Sequence, residues 1–257
     1  IFENKQFGKA AERISLERCL IGEELSVFAV CDGKDYIILN SAQDHKRIFD
    51  DDKGPNTGGM GAYCPAPLFD DNLRQKVEDR IIVPTINGMK EEGHPYRGFL
   101  YIGIMIVDGD PYVIEYNARL GDPESQVLIP MLEDGLFPIV KSVLSEKVKD
   151  LNINKKEGYT VTVVLASKGY PEQYRKNMLI TGLDESFLTF HSGTSLIDDK
   201  IYATGGRVLN VIGYDLSLKE AISDAYRNIK KINFDNMYYR NDIGKKGLAH
   251  LKGVSDG

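Results

Sequence analysis

Three side chains of different chemistry fall at alternate positions in the segment Ile114-Glu115-Tyr116-Asn117-Ala118-Arg119. On a strand, residues i, i+2 and i+4 point the same way, so Glu115, Asn117 and Arg119 are expected to share one face while Ile114 and Tyr116 turn to the core. A carboxylate beside an amide oxygen offers two hard oxygen donors. Such a set suits a magnesium ion that fills its other positions with phosphate and water. An arginine one step further would neutralise a phosphate oxygen on the same nucleotide. Gly121, Asp122 and Glu124 follow just downstream. Taken alone, E-x-N-x-R is equally the solvated edge of a strand.

A second run, G-P-N-T-G-G-M-G-A-Y at residues 54–63, is dense in glycine. Glycines let successive backbone N–H groups point inward and let the chain approach an anion closely, although a flexible surface loop has the same composition. No G-x-x-x-x-G-K-[ST] occurs, so the P-loop mode of phosphate binding is excluded. Just upstream, Lys46 and Arg47 could meet a phosphate, or be an ordinary solvated pair. Residues 17–24 read as a strand leaving through Gly22-Glu23-Glu24, where a carboxylate can accept both hydroxyls of a ribose; a lone exposed glutamate more often serves solubility. His45, His94, His191 and His250 lack metal-ligand spacing, and no Ser or Cys sits in a nucleophile elbow, which argues against zinc chemistry and catalytic triads.

The elements that must position these residues are partly legible. Apolar runs on either side of Asp32-Gly33 predict a hairpin, and residues 101–107 and 112–116 around Asp108-Gly109-Asp110 predict a second. Residues 40–67 lack aliphatic periodicity and read as a long loop. Residues 71–93 return to helical spacing, with Pro84 predicting a kink or break. Two helices are expected around 124–132 and 136–148. A polar stretch at 150–158 suggests a boundary between a first domain at 1–155 and a second at 156–257. Beyond it, 159–166, 188–191 and 207–212 read as strands, and 217–232 as a helix with Ser217 and Glu220 as a capping box.

The 257 residues carry 32 Lys plus Arg against 38 Asp plus Glu, a net charge of −6, with 42% hydrophobic and 27% charged residues. That composition is globular, and the mild acidity without basic clusters points away from nucleic acid and anionic membranes. The longest apolar run, residues 99–107, is about half of what a membrane span needs. Three cysteines (Cys19, Cys31, Cys64) without C-x-x-C argue against a disulfide framework and structural zinc. A soluble, cytoplasmic protein is expected. Because the chain opens on Ile1 rather than Met, it is expected to be processed or part of something longer.

In order along the chain, L-I-G-E-E-L-S (20–26), A-Q-D-H-K-R (42–47), the glycine run (54–63), Y-I-G-I-M (101–105), I-E-Y-N-A-R-L-G-D-P-E-S-Q (114–126), A-S-K-G-Y-P (166–171), G-G-R-V-L (205–209) and Y-Y-R-N-D-I-G (238–244) closely resemble the glycinamide ribonucleotide synthetase family of the ATP-grasp superfamily. The resemblance implies an α+β fold: an ATP-grasp core, an antiparallel sheet with flanking helices, followed by a small mixed α/β C-terminal domain. It implies a ligase that joins glycine to 5-phosphoribosylamine at the expense of ATP through an acyl phosphate, with Mg²⁺ or Mn²⁺. Phosphoryl transfer needs positioning and charge neutralisation more than a nucleophile, in keeping with the missing triad. By family match, Glu115 and Asn117 would hold the metal and Arg119 would contact phosphate. Lys46 and Arg47 would lie by the phosphates. Glu24 would take the ribose, with Glu17, Cys19 and Leu20 on the adenine side. Asp44, Asn56, Thr57, Gly58, Gly59, Gly61 and Asp122 would face glycine and phosphoribosylamine. His45 would orient its loop. Family members are longer at the N-terminus, so the chain is expected to lack their first domain and part of the ATP clamp, and to have little activity by itself. The alternatives are another ATP-grasp carboxylate–amine ligase or a non-catalytic nucleotide-binding module.

Overall fold

A computed structural model of the chain describes residues 13–255, together with Gly8. Both predicted hairpins form. Strands β1 (Glu23–Asp32) and β2 (Tyr36–Asp44) meet at a turn organised by Asp32, whose carboxylate accepts the N–H groups of Lys34 and Asp35 at 3.0 and 2.9 Å. Its other oxygen accepts Val148 N–H at 2.9 Å, tying the turn to a distant segment.

The stretch read as a long loop is instead strand. β2 runs through Asp44, followed by a hairpin of β3 (Arg47–Phe49) and β4 (Lys53–Asn56) and then by β5 (Gly61–Cys64). Aliphatic periodicity is missing there because polar side chains take buried places by hydrogen bonding. Gln43 donates to Glu24 O at 2.8 Å and accepts from the Tyr63 hydroxyl, and the Ser41 hydroxyl accepts Ala66 N–H at 3.3 Å.

Helix α1 (Asp71–Val77), capped by Asp70, continues through a π-helical turn at Glu78–Ile82 into α2 (Val83–Glu91). Pro84 cannot donate to the preceding turn, and the wider turn absorbs that missing bond without ending the helix. Strands β6 (Arg97–Val107) and β7 (Asp110–Asn117) join through Asp108 and Gly109, both at positive φ (51° and 75°), the conformation of a tight hairpin turn. One expectation fails here: Ile114 and Tyr116 are 41% and 44% exposed. β7 is the last strand of the sheet, and a bulge opposite Gly103/Ile104 leaves Ile114 unpaired, while the Tyr116 hydroxyl reaches Thr85 Oγ1 at 2.8 Å. Helices α3 (Ser125–Leu128) and α4 (Phe137–Leu144) are shorter than expected, giving way to 3₁₀ turns at Ile129–Met131 and Val148–Asp150.

In the second half, β8 (Tyr159–Ser167), β9 (Met178–Leu179), β10 (Thr189–His191), β11 (Thr194–Ile197), β12 (Lys200–Ala203), β13 (Arg207–Asp215) and β14 (Met237–Tyr238) accompany helices α5 (Leu218–Ile229) and α6 (Lys245–Ser255). Ser217 caps α5 by accepting Glu220 N–H at 3.2 Å. One antiparallel sheet runs through both halves in the order β10-β13-β8-β5-β2-β1-β6-β7, with β14 alongside β8. The polar stretch at 150–158 is therefore the connection into β8, and β5 pairs directly with that strand. The sheet is covered on both faces. Along β1, Val27, Ala29 and Cys31 join a core shared with α1, α2 and α5, while Phe28 and Val30 join a second core with α3 and α4. Cys19, Cys31 and Cys64 are free thiols, and no described helix is long and apolar enough to cross a membrane.

Candidate active site

The start of β1, the end of β2, the middle of β6 and the end of β7 come together on one side of the sheet. The register sets Glu24 against Met105, Gly103 against Glu115 and Tyr101 against Asn117. Glu115 and Asn117 thus stand side by side, with Asn117 Nδ2 donating to Glu115 Oε1 at 3.2 Å. Gly103 makes this possible: a Cβ there would lie 3.1 Å from Glu115 Cγ. Two adjoining cavities open over these residues. One of about 170 Å³ is lined by Asp44, Lys46, Thr57, Gly58, Tyr101, Glu115, Asn117, Arg119, Asp122 and Glu124. The other, about 210 Å³, is lined by Gly22, Glu24, Asp44, Lys46, Arg47, Asp52, Asn56, Met105 and Lys246. Asp44 and Lys46 belong to both, so the two form one cleft. A wider groove of about 690 Å³ runs along residues 183–191, away from every expected site residue.

Charge is concentrated in the cleft. Lys46 Nζ pairs with Glu24 Oε2 at 2.6 Å; burial opposes its charge, but Asp44 and Glu24 outweigh that and hold the ammonium protonated. Burial first, and then the neighbouring Glu124, push the Asp44 carboxyl up to about 8. Glu124 is 3% exposed and is also raised by burial, against hydrogen bonds from a backbone N–H, Ser26 and Tyr101. Ser26 Oγ lies 3.0 Å from the Tyr101 hydroxyl and 3.1 Å from Glu124 Oε1. Two carboxyls that resist ionising together favour a cation between or beside them. Arg119 is exposed and, among the described residues, bonds only its neighbour's carbonyl, Leu120 O, at 3.0 Å, so its fork can turn to an anion.

The glycine run works differently from the expectation of inward-pointing N–H groups. Thr57 N–H donates to Lys46 O at 2.7 Å, Gly58 N–H to the Tyr170 hydroxyl at 3.0 Å, Gly59 N–H to Thr57 Oγ1 at 2.9 Å and Met60 N–H to His45 O at 2.8 Å. These donors are spent within the protein. What the glycines supply is close approach: a Cβ on Gly59 would lie 2.4 Å from Pro123 Cδ, and one on Gly61 2.7 Å from Thr162 O. The run is packed against Asp122-Pro123 and β8, and presents Thr57 and Gly58 to the cleft.

Of the residues singled out from the sequence, Glu24, Asp44, Lys46, Arg47, Asn56, Thr57, Gly58, Glu115, Asn117, Arg119 and Asp122 line the cleft, with Gly59 and Gly61 behind it. Glu17, Cys19 and Leu20 do not line it. Residues 15–20 form no strand, Glu17 and Cys19 are exposed, and Glu17 accepts from Ser15 Oγ at 3.0 Å. Glu24 accordingly sits at a strand entry rather than at an exit. His45 is buried, accepts Gly244 N–H at 3.4 Å and is pushed down to about 4, by burial and then by Arg240 and Lys246, so it is a neutral, structural imidazole.

Sequence reasoning overlooked Arg207, whose Nη1 donates to Gly58 O at 2.7 Å and Asp122 O at 2.8 Å and pairs with Asp122 Oδ1 at 3.1 Å. It also overlooked Tyr170, Tyr101 and Lys246. The signal for Arg207 and Tyr170 was their place inside G-G-R-V-L and A-S-K-G-Y-P.

Among the described residues no cluster of three or more His, Cys, Asp or Glu could hold a metal by itself. The donor chemistry at Glu115 and Asn117 fits a hard cation bound by two protein oxygens and completed by phosphate and water, and excludes a soft or fully protein-caged ion.

Residues 1–125 match the family model described as "Phosphoribosylglycinamide synthetase, ATP-grasp (A) domain", and residues 160–246 match "Phosphoribosylglycinamide synthetase, C domain". A phosphoribosylamine–glycine ligase of Chlorobaculum tepidum is 47% identical over 253 residues, covering 96% of this chain and 59% of that protein. The human trifunctional purine biosynthetic protein adenosine-3 is 42% identical over 257 residues, covering 98% of this chain and 25% of its own. The crystal structure of the Thermotoga maritima phosphoribosylamine–glycine ligase superposes with a TM-score of 0.79 at 40% identity, over 88% of this chain and 57% of that one. The biotin carboxylase subunit of pyruvate carboxylase, at 14% identity and a TM-score of 0.58, shares the fold. This chain spans about 59% of the length of the curated single-function relatives it matches. Two family models in family order and matching relatives over nearly all of its length, together with a cleft that gathers most of the expected residues, make the chain a member of the phosphoribosylglycinamide synthetase family of ATP-grasp ligases.

Proposed function

We propose that the chain serves the ATP-dependent joining of glycine to 5-phosphoribosylamine, giving glycinamide ribonucleotide, ADP and phosphate, in the cytoplasm. A carboxylate oxygen of glycine attacks the γ-phosphorus, ADP leaves, the amine of phosphoribosylamine attacks the acyl carbon, and phosphate departs as the amine loses a proton. Neither step needs a protein nucleophile; both need charge neutralised at fixed places. Glu115 and Asn117 would hold Mg²⁺ or Mn²⁺, which when bound supplies neutralisation of the nucleotide's phosphate charge.

The residues of this chain do the rest. Lys46, in an ion pair with Glu24 at 2.6 Å, faces both cavities and would neutralise the transferring phosphoryl group. Arg119 covers the same face as Glu115, and Arg47 lines the rim. Glu24 is set for the ribose hydroxyls. Asp44, Asn56, Thr57, Gly58 and Asp122 offer polar groups to the two remaining substrates, and Gly59 and Gly61 hold that wall in place.

The observation that carries this reading is the convergence of the Glu115–Asn117 pair and Lys46 in one cleft. Because the chain covers 59% of the Chlorobaculum ligase, turnover is proposed for the protein at the relatives' length, and little or none for the 257 residues by themselves. Glycine-dependent ADP release by the longer protein tests it. Release driven by another carboxylic acid instead would move the assignment to a different carboxylate–amine ligase, and nucleotide binding without release would leave a binding module.

A further inference from the structure

Among the described residues Arg240 is the one buried Lys or Arg, at 1% exposure. Its guanidinium makes four short contacts in three directions: Nε and Nη2 grip the two oxygens of Asp242 at 2.8 and 2.7 Å, and Nη1 donates to Asp52 Oδ1 at 3.0 Å and to Arg47 O at 2.9 Å. Arg47 is the base of the β3–β4 hairpin and Asp52 its tip, so one side chain holds both ends. The tip needs holding, since Asp51 and Asp52 both have positive φ (56° and 52°). Its neighbours along the chain add to the grip: Asp51 N–H donates to Asp242 Oδ2 at 2.9 Å, Asn241 N–H to Asp50 Oδ1 at 2.9 Å, and Lys245 pairs with Asp51 at 3.0 Å.

The hairpin is also a wall of the cleft. Lys46 immediately precedes β3, Asn56 ends β4, and Lys246 pairs with Asp52 at 2.5 Å while lining the same cavity. A buried ion pair gives little net stability over apolar packing. What the fork supplies is three fixed directions that neither an apolar side chain nor a lysine can reproduce. We infer that Arg240 is a positioning residue: it locks the β3–β4 hairpin so that Lys46 and Arg47 present their charges to an anionic ligand in the cleft. That the ligand is the reacting phosphate rests on the ligase reading; the positioning itself does not.

The test reads Lys46 directly in the purified chain. Acetylation of Lys46 by acetic anhydride is followed by peptide mass spectrometry, with exposed Lys90 and Lys219 as references. The buried thiols of Cys31 and Cys64 report global opening through a thiol reagent. In Arg240→Lys and Arg240→Ala, Lys46 is expected to react roughly tenfold faster, the effect of losing about one charge-assisted hydrogen bond, while both thiols stay silent. Millimolar guanidinium, and not equal sodium chloride, is expected to slow the Ala variant again. Should neither variant fold, Asn241→Ala, which removes the side-chain Nδ2 donor to Asp50 Oδ2 at 3.3 Å, is expected to give a smaller rise of the same kind. An unchanged Lys46 rate, or Lys46 and the thiols rising together, would overturn the inference. In the protein at the relatives' length, the same variants are expected to raise KM for ATP more than they lower kcat. A parent without glycine-dependent ADP release but with an intact Lys46 response would sink the ligase reading and leave the positioning role standing.

Discussion

Adding one methyl group at Gly59 is expected to damage this protein more than its size suggests. The position has φ +111°, a region that residues with a Cβ rarely occupy, which costs about 1–3 kcal/mol. The new Cβ would also lie 2.4 Å from Pro123 Cδ, well inside ordinary contact. Neither side yields easily, because Arg207 ties Asp122 O and Gly58 O together at 2.8 and 2.7 Å. Overpacking of this kind costs a further ~1–3 kcal/mol. Together, Gly59→Ala should lose about 2–6 kcal/mol, and at roughly 2–4 °C per kcal/mol for a chain of this size the melting temperature should fall by roughly 4–24 °C. Gly88→Ala is the matched comparison: it lies within α2, a Cβ there meets nothing within 4 Å, and relief of helix entropy should raise stability by about 0.5–1 kcal/mol. Thermal unfolding followed by circular dichroism measures both. If Gly59→Ala melted with the parent, within the error of the scan, the claim that the glycine run exists for close packing would fail.

Two pH experiments follow from the buried His45 and from Asp44, which lines the cleft. His45 takes up a proton only near pH 4 in the fold but near 6.5 when unfolded, so its contribution is complete above about 6.5 and is lost as pH falls toward 4. The loss should be on the order of 2–3 kcal/mol, and His45→Gln, which keeps an acceptor for Gly244 N–H, should flatten that part of the stability–pH curve measured by denaturant titration. Asp44 behaves in the opposite sense: its folded value near 8 lies above the unfolded 3.8, so folding loses stability as pH rises between the two. Asp44→Asn should therefore melt higher than the parent at pH 8.5, with the gap narrowing toward pH 5, while substrate-dependent ADP release falls in the longer protein. A lower melting temperature at pH 8.5 would contradict the strained carboxyl.

The parts of the fold that local chemistry dictates were legible in the residues. Asp32-Gly33 and Asp108-Gly109 marked two hairpins because those turns need particular backbone conformations. Ser217 marked the start of α5 because a helix end needs an acceptor. Glu115 and Asn117 could be placed on one face because strand geometry has period two. What long-range contacts decide was not legible. The β3–β4 hairpin has no apolar alternation of its own and is held by Arg240, Asp242 and Tyr238, about 190 positions away. The exposure of Ile114 and Tyr116 follows from β7 ending the sheet, which no local pattern reveals. Residues 15–20 have strand-like composition but no partner strand among the described residues, and composition by itself does not make a strand. In the cleft, the fold gathers Glu24, Asp44, Lys46, Arg47, Glu115, Arg119 and Asp122, which the resemblance had singled out, but not Glu17, and the backbone N–H groups of the glycine run turned out to be consumed internally, a fact that needs the partners Tyr170 and His45 in three dimensions.

The proposed site unites Glu115, Asn117 and Lys46 around a metal-bound nucleotide whose phosphoryl group would pass to glycine. ADP release with glycine and phosphoribosylamine, measured on the protein at the relatives' length and on its Glu115→Ala variant, tests it most directly. Release is expected to require glycine and a divalent cation in the parent and to fall at least a hundredfold in the variant, the loss of roughly 3 kcal/mol of transition-state stabilisation. Release that ignores glycine, or that survives the substitution, would contradict it.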